Sequence, residues 1–209
     1  MGYLVRYYIL RIRFCAFFHN SYCLHKRHTF DLQFFLMWRT FIRCRSTYTS
    51  VYRSGIEHPE KFWNEQAQNI FWFKQWDKIY DDTNLLRPHW FQGGQLNMSY
   101  NCLDRHISKH GDQTAIIYDS AMTNKVTHLT YNQLLKQVKT LANVLSEKYS
   151  VKKGDVVLIY MPMIPEAIVA MLACARIGAI HNVVFGGFSA SELAVRVKHS
   201  EPKVILSGK

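Results

Sequence analysis

The chain has 209 residues, 48% of them hydrophobic and 14% aromatic, a composition too apolar for an intrinsically disordered protein. Its formal charge of +11 is concentrated at one end: residues 1–54 hold nine Lys/Arg against the acid Asp31, whereas the remainder holds seventeen against fourteen. With the excess confined to a terminal quarter, and no basic stripe interleaved with stacking aromatics elsewhere, the sequence argues against nucleic-acid binding.

Within residues 1–54, Arg6, Arg11, Arg13, Lys26, Arg27 and Arg39 interrupt every apolar run before the ~18 residues that a membrane span requires. The uninterrupted apolar core of a secretory signal is missing for the same reason. From Met37 the stretch MWRTFIRCRSTYTSVYRS carries Arg39, Arg43, Arg45 and Arg53 with Ser, Thr and no acid. On a helix Arg39 and Arg43 share a face, with Trp38, Phe41 and Ile42 on the other side. That is the composition of a mitochondrial transit peptide, and it predicts the matrix as destination. The competing reading is a disordered basic tail, and Met37 is a second candidate start. Residues 1–51 are accordingly read as a basic tail. Cys15, His19, Cys23, His25 and His28 form a Cys/His cluster, but no Cys-x-x-Cys pair or second ligand pair at finger spacing supports zinc, and no metal site is predicted. Cys102 and Cys174 sit in helical patterns and are expected to be buried thiols of a reducing compartment.

Residues 55–96 are rich in Trp and Phe. His58-Pro59 opens a predicted helix that places Phe62, Trp63, Ala67 and Ile70 on a common side. The following WFKQWDKIYDD and LLRPHWFQGGQLN show little periodicity and read as an ordered meander whose aromatics cover another domain's surface. Asp81 and Asp82 are adjacent acids, but neighbours in a loop face solvent more often than they share a proton. A more regular rhythm follows. Residues 97–110 predict a helix, AIIYD (115–119) and VTHLT (126–130) two strands joined by a turn, and residues 131–149 a helix on Leu134, Val138, Leu141, Ala142 and Leu145. VVLIY (156–160) is a near-continuous apolar run, the mark of a strand covered on both faces. EAIVAMLACARIG predicts a helix closed by Gly178, IHNVVF a strand, SASELAVRVKHS a helix, and KVIL a last strand. Strand, helix, strand, helix, strand is two successive βαβ units, so the expected class is α/β with a parallel sheet, preceded by a helical aromatic-rich extension.

One turn in this series has the ingredients of a ligand site. Phe185-Gly186-Gly187 lies at the carboxyl end of a sheet strand, where open α/β sheets bind their ligands. Two glycines permit tight turns and close approach. Ser189 and Glu192 have capping-box spacing at the start of the next helix, whose free N–H groups could meet an anion. A plain strand-to-helix turn has the same composition, and the stretch is neither G-x-G-x-x-G nor a Walker A loop. Pattern alone leaves both readings open.

The residues themselves carry a resemblance. KKGDVVLIYMPMIPEAIVAMLACARIGAIHNVVFGGFSASEL (152–193) closely resembles the early part of the AMP-forming acetyl/propionyl-CoA synthetases, members of the adenylate-forming superfamily. HPEKFWNEQAQNIFWFKQWDKIYD and WFQGGQLNMSYNCLDRH are similar to the N-terminal extension of its short-chain members. AIIYDSAMTN and PKVIL look most like the mitochondrial, propionate-preferring branch. The likeness covers residues 52–206, and it implies an extension at 52–110 followed by the start of the ligase domain at 111–209. It implies a partial adenylate-forming N-terminal domain. It also implies a two-step reaction in which a short carboxylate displaces pyrophosphate from ATP, with Mg2+ offsetting the phosphate charge, and the thiol of CoA then displaces AMP. Phe185, Gly186 and Gly187 carry over as a wall of the CoA nucleotide site. The family's Ser/Thr/Gly-rich phosphate loop and catalytic lysine have no counterpart among the 209 residues, and Ser207-Gly208-Lys209 departs from the family pattern. The expectation is therefore a truncated or alternatively spliced product with no catalytic residue of its own. It should bind ATP, CoA or Mg2+ at most weakly, and its alternative role is a non-catalytic interaction protein.

Overall fold

A computed structural model describes residues 47–84 and 86–208. The Cys/His cluster from Cys15 to His28 and residues 37–46 of the transit-like segment lie outside the described residues. The chain divides into two compact units, with the boundary between Leu96 and Asn97.

In the first unit, residues 47–57 are helical and almost wholly exposed. Helix α1 (Pro59–Ala67) starts with Pro59 in its first turn, where the missing N–H costs nothing. It ends at Ala67, its one buried residue, so Ile70 falls beyond it rather than on its face. The stretch expected to meander instead contains a hairpin. Strands β1 (Lys78–Asp81) and β2 (His89–Gln92) pair antiparallel with Tyr80 opposite Trp90, their rings 4.5 Å apart. Trp72, Trp76 and Phe91 form a mutual cluster with centroids 5.0–5.4 Å apart. Asp81 is the last residue of β1: it accepts from Lys78 Nζ at 2.9 Å and from the Thr83 N–H, and the Lys78 bond holds its carboxyl below the ordinary range. Asp82 is exposed beside it.

The second unit opens where one helix was expected and three short pieces are found: α2 (Met98–Cys102), a 3-10 turn (Asp104–His106) and α3 (Ile107–His110). The break is at Leu103, whose φ of −123° and ψ of −71° leave the helical region while its side chain is 1% exposed. Core burial of Leu103 overrides local helical propensity. Two side chains tie this segment down. Asn97 caps α2 by accepting from the Tyr100 N–H, and its Nδ2 donates to the carbonyls of Ala175 and Arg176 at 3.1 and 3.0 Å. Arg176 in turn grips both oxygens of Asp104, at 2.8 and 3.0 Å.

Strands β3 (Thr114–Ser120) and β4 (Lys125–Thr130) form an antiparallel hairpin. Helix α4 (Tyr131–Asn143) begins with a complete Thr130/Gln133 capping box and runs into a π-helical turn at Val144–Lys148. Then β5 (Val156–Met161), α5 (Pro165–Ile177), β6 (Ile180–Phe185), α6 (Ala190–Ser200) and β7 (Val204–Ser207) build a parallel sheet in the order β6-β5-β7. The α/β class and both βαβ units stand as expected. Gly178 closes α5 at φ +74°, and Lys153 packs 3.0 Å from where a Cβ would sit.

The helices cover opposite faces of the sheet. Val157, Ile159, Val204 and Leu206 point to one side, against Val138 of α4 and Ala170 and Ala173 of α5. On the other side Asn182 of β6 donates to the Ser200 hydroxyl of α6. Central β5 is therefore sealed on both faces, with Val157, Leu158 and Ile159 all 0% exposed, as its unbroken apolar run predicts. Cys174 is buried in α5, and that burial raises its thiol to about 11; Cys102 is half-buried and shifted the same way.

Candidate functional site at the ends of the central strands

The connections leaving β5 and β6 diverge, one to a helix on each face, which makes their carboxyl ends a topological switch point. Here the two chain segments touch. The Gly186 N–H donates to the Met161 carbonyl at 3.0 Å. A Cβ on Gly186 would lie 2.7 Å from the Pro162 nitrogen and 2.8 Å from the Met161 carbonyl carbon. Both obstacles are backbone, so only glycine lets the strand ends meet this closely.

The turn beyond it is closed by the Phe188 N–H donating to the Phe185 carbonyl at 3.1 Å. Phe185 remains 54% exposed, and its ring meets Phe188 edge-on at 6.1 Å. The Arg196 guanidinium lies over the Phe188 ring, 4.6 Å from its centroid. The same guanidinium donates to the Glu192 carboxylate and to the Glu192 carbonyl, both at 2.8 Å. Finally, the Tyr160 hydroxyl donates to the Phe188 carbonyl at 2.7 Å, across 28 residues of chain.

The capping box expected at Ser189 and Glu192 is only half formed. The Ser189 hydroxyl accepts from the Glu192 N–H at 3.4 Å, but the Glu192 carboxylate turns outward to Arg196 and makes no bond back. An ion pair one turn along has outcompeted the cap. The sequence did hold a complete box, in Thr-Tyr-Asn-Gln at residues 130–133, which the strand-and-helix reading passed over. Tyr160, Phe188 and Arg196 were likewise not singled out. Their convergence depends on a parallel pairing and a helix turn that no local pattern displays.

A second concavity of about 370 Å³ lies away from this turn, lined mainly by apolar atoms of Met98, Leu103, Tyr131, Ile168, Met171 and Leu172. Burial lowers His106 and raises Cys102, so these two groups favour their neutral forms. Among the described residues no Lys or Arg lines it.

Residues 103–209 match the AMP-binding enzyme family, and residues 48–102 match the acetyl-coenzyme A synthetase N-terminus. The chain belongs to the AMP-binding enzymes. Over 161 residues, 77% of this chain, it is 48% identical to the mitochondrial acyl-CoA synthetase short-chain family member 3 of Bos taurus. An acetyl-coenzyme A synthetase of Alkalilimnicola ehrlichii is also 48% identical, over 165 residues and 78% of this chain. Among solved structures, the acetoacetyl-CoA synthetase of Streptomyces lividans superposes with a TM-score of 0.71 at 27% identity, covering 77% of this chain and 25% of that one. The chain spans about a quarter of the length of these relatives, 23% of the bovine protein and 25% of the bacterial synthetase. The match to the acetyl-coenzyme A synthetase N-terminus thus runs directly into the match to the AMP-binding enzymes.

Proposed function

We propose that this AMP-binding chain is the N-terminal part of a short-chain carboxylate–CoA ligase working in the mitochondrial matrix on propionate or acetate. In the first step a carboxylate oxygen bonds to the α-phosphorus of ATP, and the bond to the departing pyrophosphate breaks. In the second, the CoA sulfur bonds to the acyl carbon, AMP leaves with the bonding pair, and the thiol proton passes to solvent. Mg2+ carried in with the nucleotide would supply neutralisation of the phosphate charge in the first step. The observation that carries this reading is a 48% identity over 161–165 residues, 77–78% of this chain, together with family matches that cover residues 48–102 and 103–209. Phe185, Gly186 and Gly187 serve as one wall of the CoA nucleotide site. In support, the turn sits at the switch point and exposes the aromatic ring of Phe185, which lies over Gly187, where a Cβ would come within 2.6 Å of it.

The matrix assignment rests on the acid-free Arg/Ser/Thr segment from Met37 and on the mitochondrial relatives, with bacterial relatives equally similar. The test has two arms. Carboxylate-dependent exchange of pyrophosphate into ATP is expected from the full reading frame of the gene, and none from the 209-residue chain alone. A frame that continues into the remaining family segments yet shows no exchange with acetate or propionate would overturn the ligase reading. Residues 1–54 fused to a fluorescent protein should be imported into mitochondria, and a cytosolic signal would remove the matrix assignment.

A further inference from the structure

The Phe185–Phe188 turn does not hold its own shape by local bonds alone. Within itself it has the Phe188-to-Phe185 hydrogen bond and the contacts of the Phe185 ring with Gly187 and Phe188, and its other restraints come from elsewhere. We propose that Tyr160 and Arg196 are the positioning residues of this turn: they fix the plane and height of Phe188, and through it Phe185, against which a CoA nucleotide is laid. This rests on the CoA reading given above and deepens it.

The geometry is specific. Tyr160 belongs to β5, the sealed central strand, so its ring stem is anchored by the most rigid part of the sheet. From there its hydroxyl reaches the carbonyl of Phe188 at 2.7 Å, the usual length for a well-made O–H donor bond. Arg196 approaches the same residue from α6, with its guanidinium over the ring at 4.6 Å. Glu192 keeps that guanidinium from swinging away, by two hydrogen bonds of 2.8 Å. The backbone of Phe188 is thus held from β5 and its side chain from α6, elements on opposite sides of the turn's own strand connection. Phe185 is then set edge-on against Phe188, with its face left half exposed. A flat aromatic or purine ligand stacks best on a face whose orientation is fixed beforehand, because less freedom is lost on binding. The abandoned half of the capping box is the price of this arrangement, since Glu192 holds Arg196 instead of the Ser189 N–H.

Two measurements separate this inference from the CoA reading. In the 209-residue chain, amide hydrogen exchange at residues 186–189 is compared among wild type, Tyr160→Phe and Arg196→Gln. Tyr160→Phe keeps the ring and removes only the hydroxyl. We expect at least tenfold faster exchange at those amides in either variant, with β5 protection and the melting temperature unchanged. Unchanged exchange in both variants overturns the proposal, as does loss of protection throughout the sheet, which would mark Tyr160 as a general core residue. In the intact ligase, Tyr160→Phe should raise the KM for CoA about tenfold while leaving pyrophosphate exchange, which needs no CoA, at its wild-type rate. Faster exchange at 186–189 with no change in KM for CoA keeps the brace and removes the turn from the CoA site. A fall in both half-reactions counts against a positioning role.

Discussion

At the residue scale, Asp155 shows how one exposed ion pair shapes the acid limit of stability. Its carboxylate accepts from Lys203 Nζ at 2.8 Å and from the Lys152 N–H at 2.7 Å, and the Lys203 bond chiefly holds its titration below the ordinary 3.8. A carboxylate depressed in the folded state stabilises it above the ordinary value, and that contribution is lost as pH falls through the depressed one. Asp155→Asn should therefore melt earlier than wild type at neutral pH, and the difference should close in acid beneath the normal carboxylate range. A gap that persists unchanged in strong acid would show that the bonds, and not the charge, matter. The pair joins the turn before β5 to the start of β7, because Lys203 also donates to the Ser150 carbonyl, so the same substitution should loosen the edge strand first.

Among the elements, Asn97 has the largest leverage. One side chain caps α2 at its start and satisfies two terminal carbonyls of α5, groups that a helix end leaves without partners. Asn97→Ala removes three hydrogen bonds at once and should cost about 1–3 kcal/mol in chemical denaturation. Asn97→Ser, which keeps a capping acceptor without placing a second acceptor against the α5 carbonyls, should recover part of that, and equal losses would argue that the capping bond contributes nothing. The elements legible in the sequence were those long enough to show a period. Strands β5 and β6 and helices α4, α5 and α6 ran six to thirteen residues with distinct patterns, and their positions were read to within a residue or so, apart from the far end of α4. The hairpin β1–β2 was missed because each strand is four residues long and has no fully buried residue, so alternation had no room to appear. The break at Leu103 and the π-helical turn at Val144–Lys148 were missed because tertiary packing sets them, with no Gly or Pro to announce them. The turn at Gly186 was found by its glycines, whereas the reason it must be glycine, the Met161–Pro162 backbone pressed against it, belongs to strand pairing alone.

For the molecule as a whole, the sheet has two open margins. Among the described residues, β6 and β7 each pair only with β5, and Val183, Phe185 and Ile205 stand 47–54% exposed. Unpaired strands bearing apolar side chains associate. The purified 209-residue chain should show concentration-dependent self-association by sedimentation velocity, and Val183→Lys should shift it toward monomer. A single monomeric species across the whole concentration range would refute this. The Asn97 clasp has a further consequence, in time rather than in energy. Its partners lie 78 and 79 positions downstream, and the Asp104–Arg176 grip spans 72. At ribosomal speeds of about 5–20 residues per second, roughly 4–16 s separate the emergence of Asn97 from that of Arg176. During that interval α2 has no helix end to clasp and Leu103 no completed core to enter. The nascent segment from Asn97 to His110 is then a stretch that a chaperone can hold, and its release is timed by the arrival of α5.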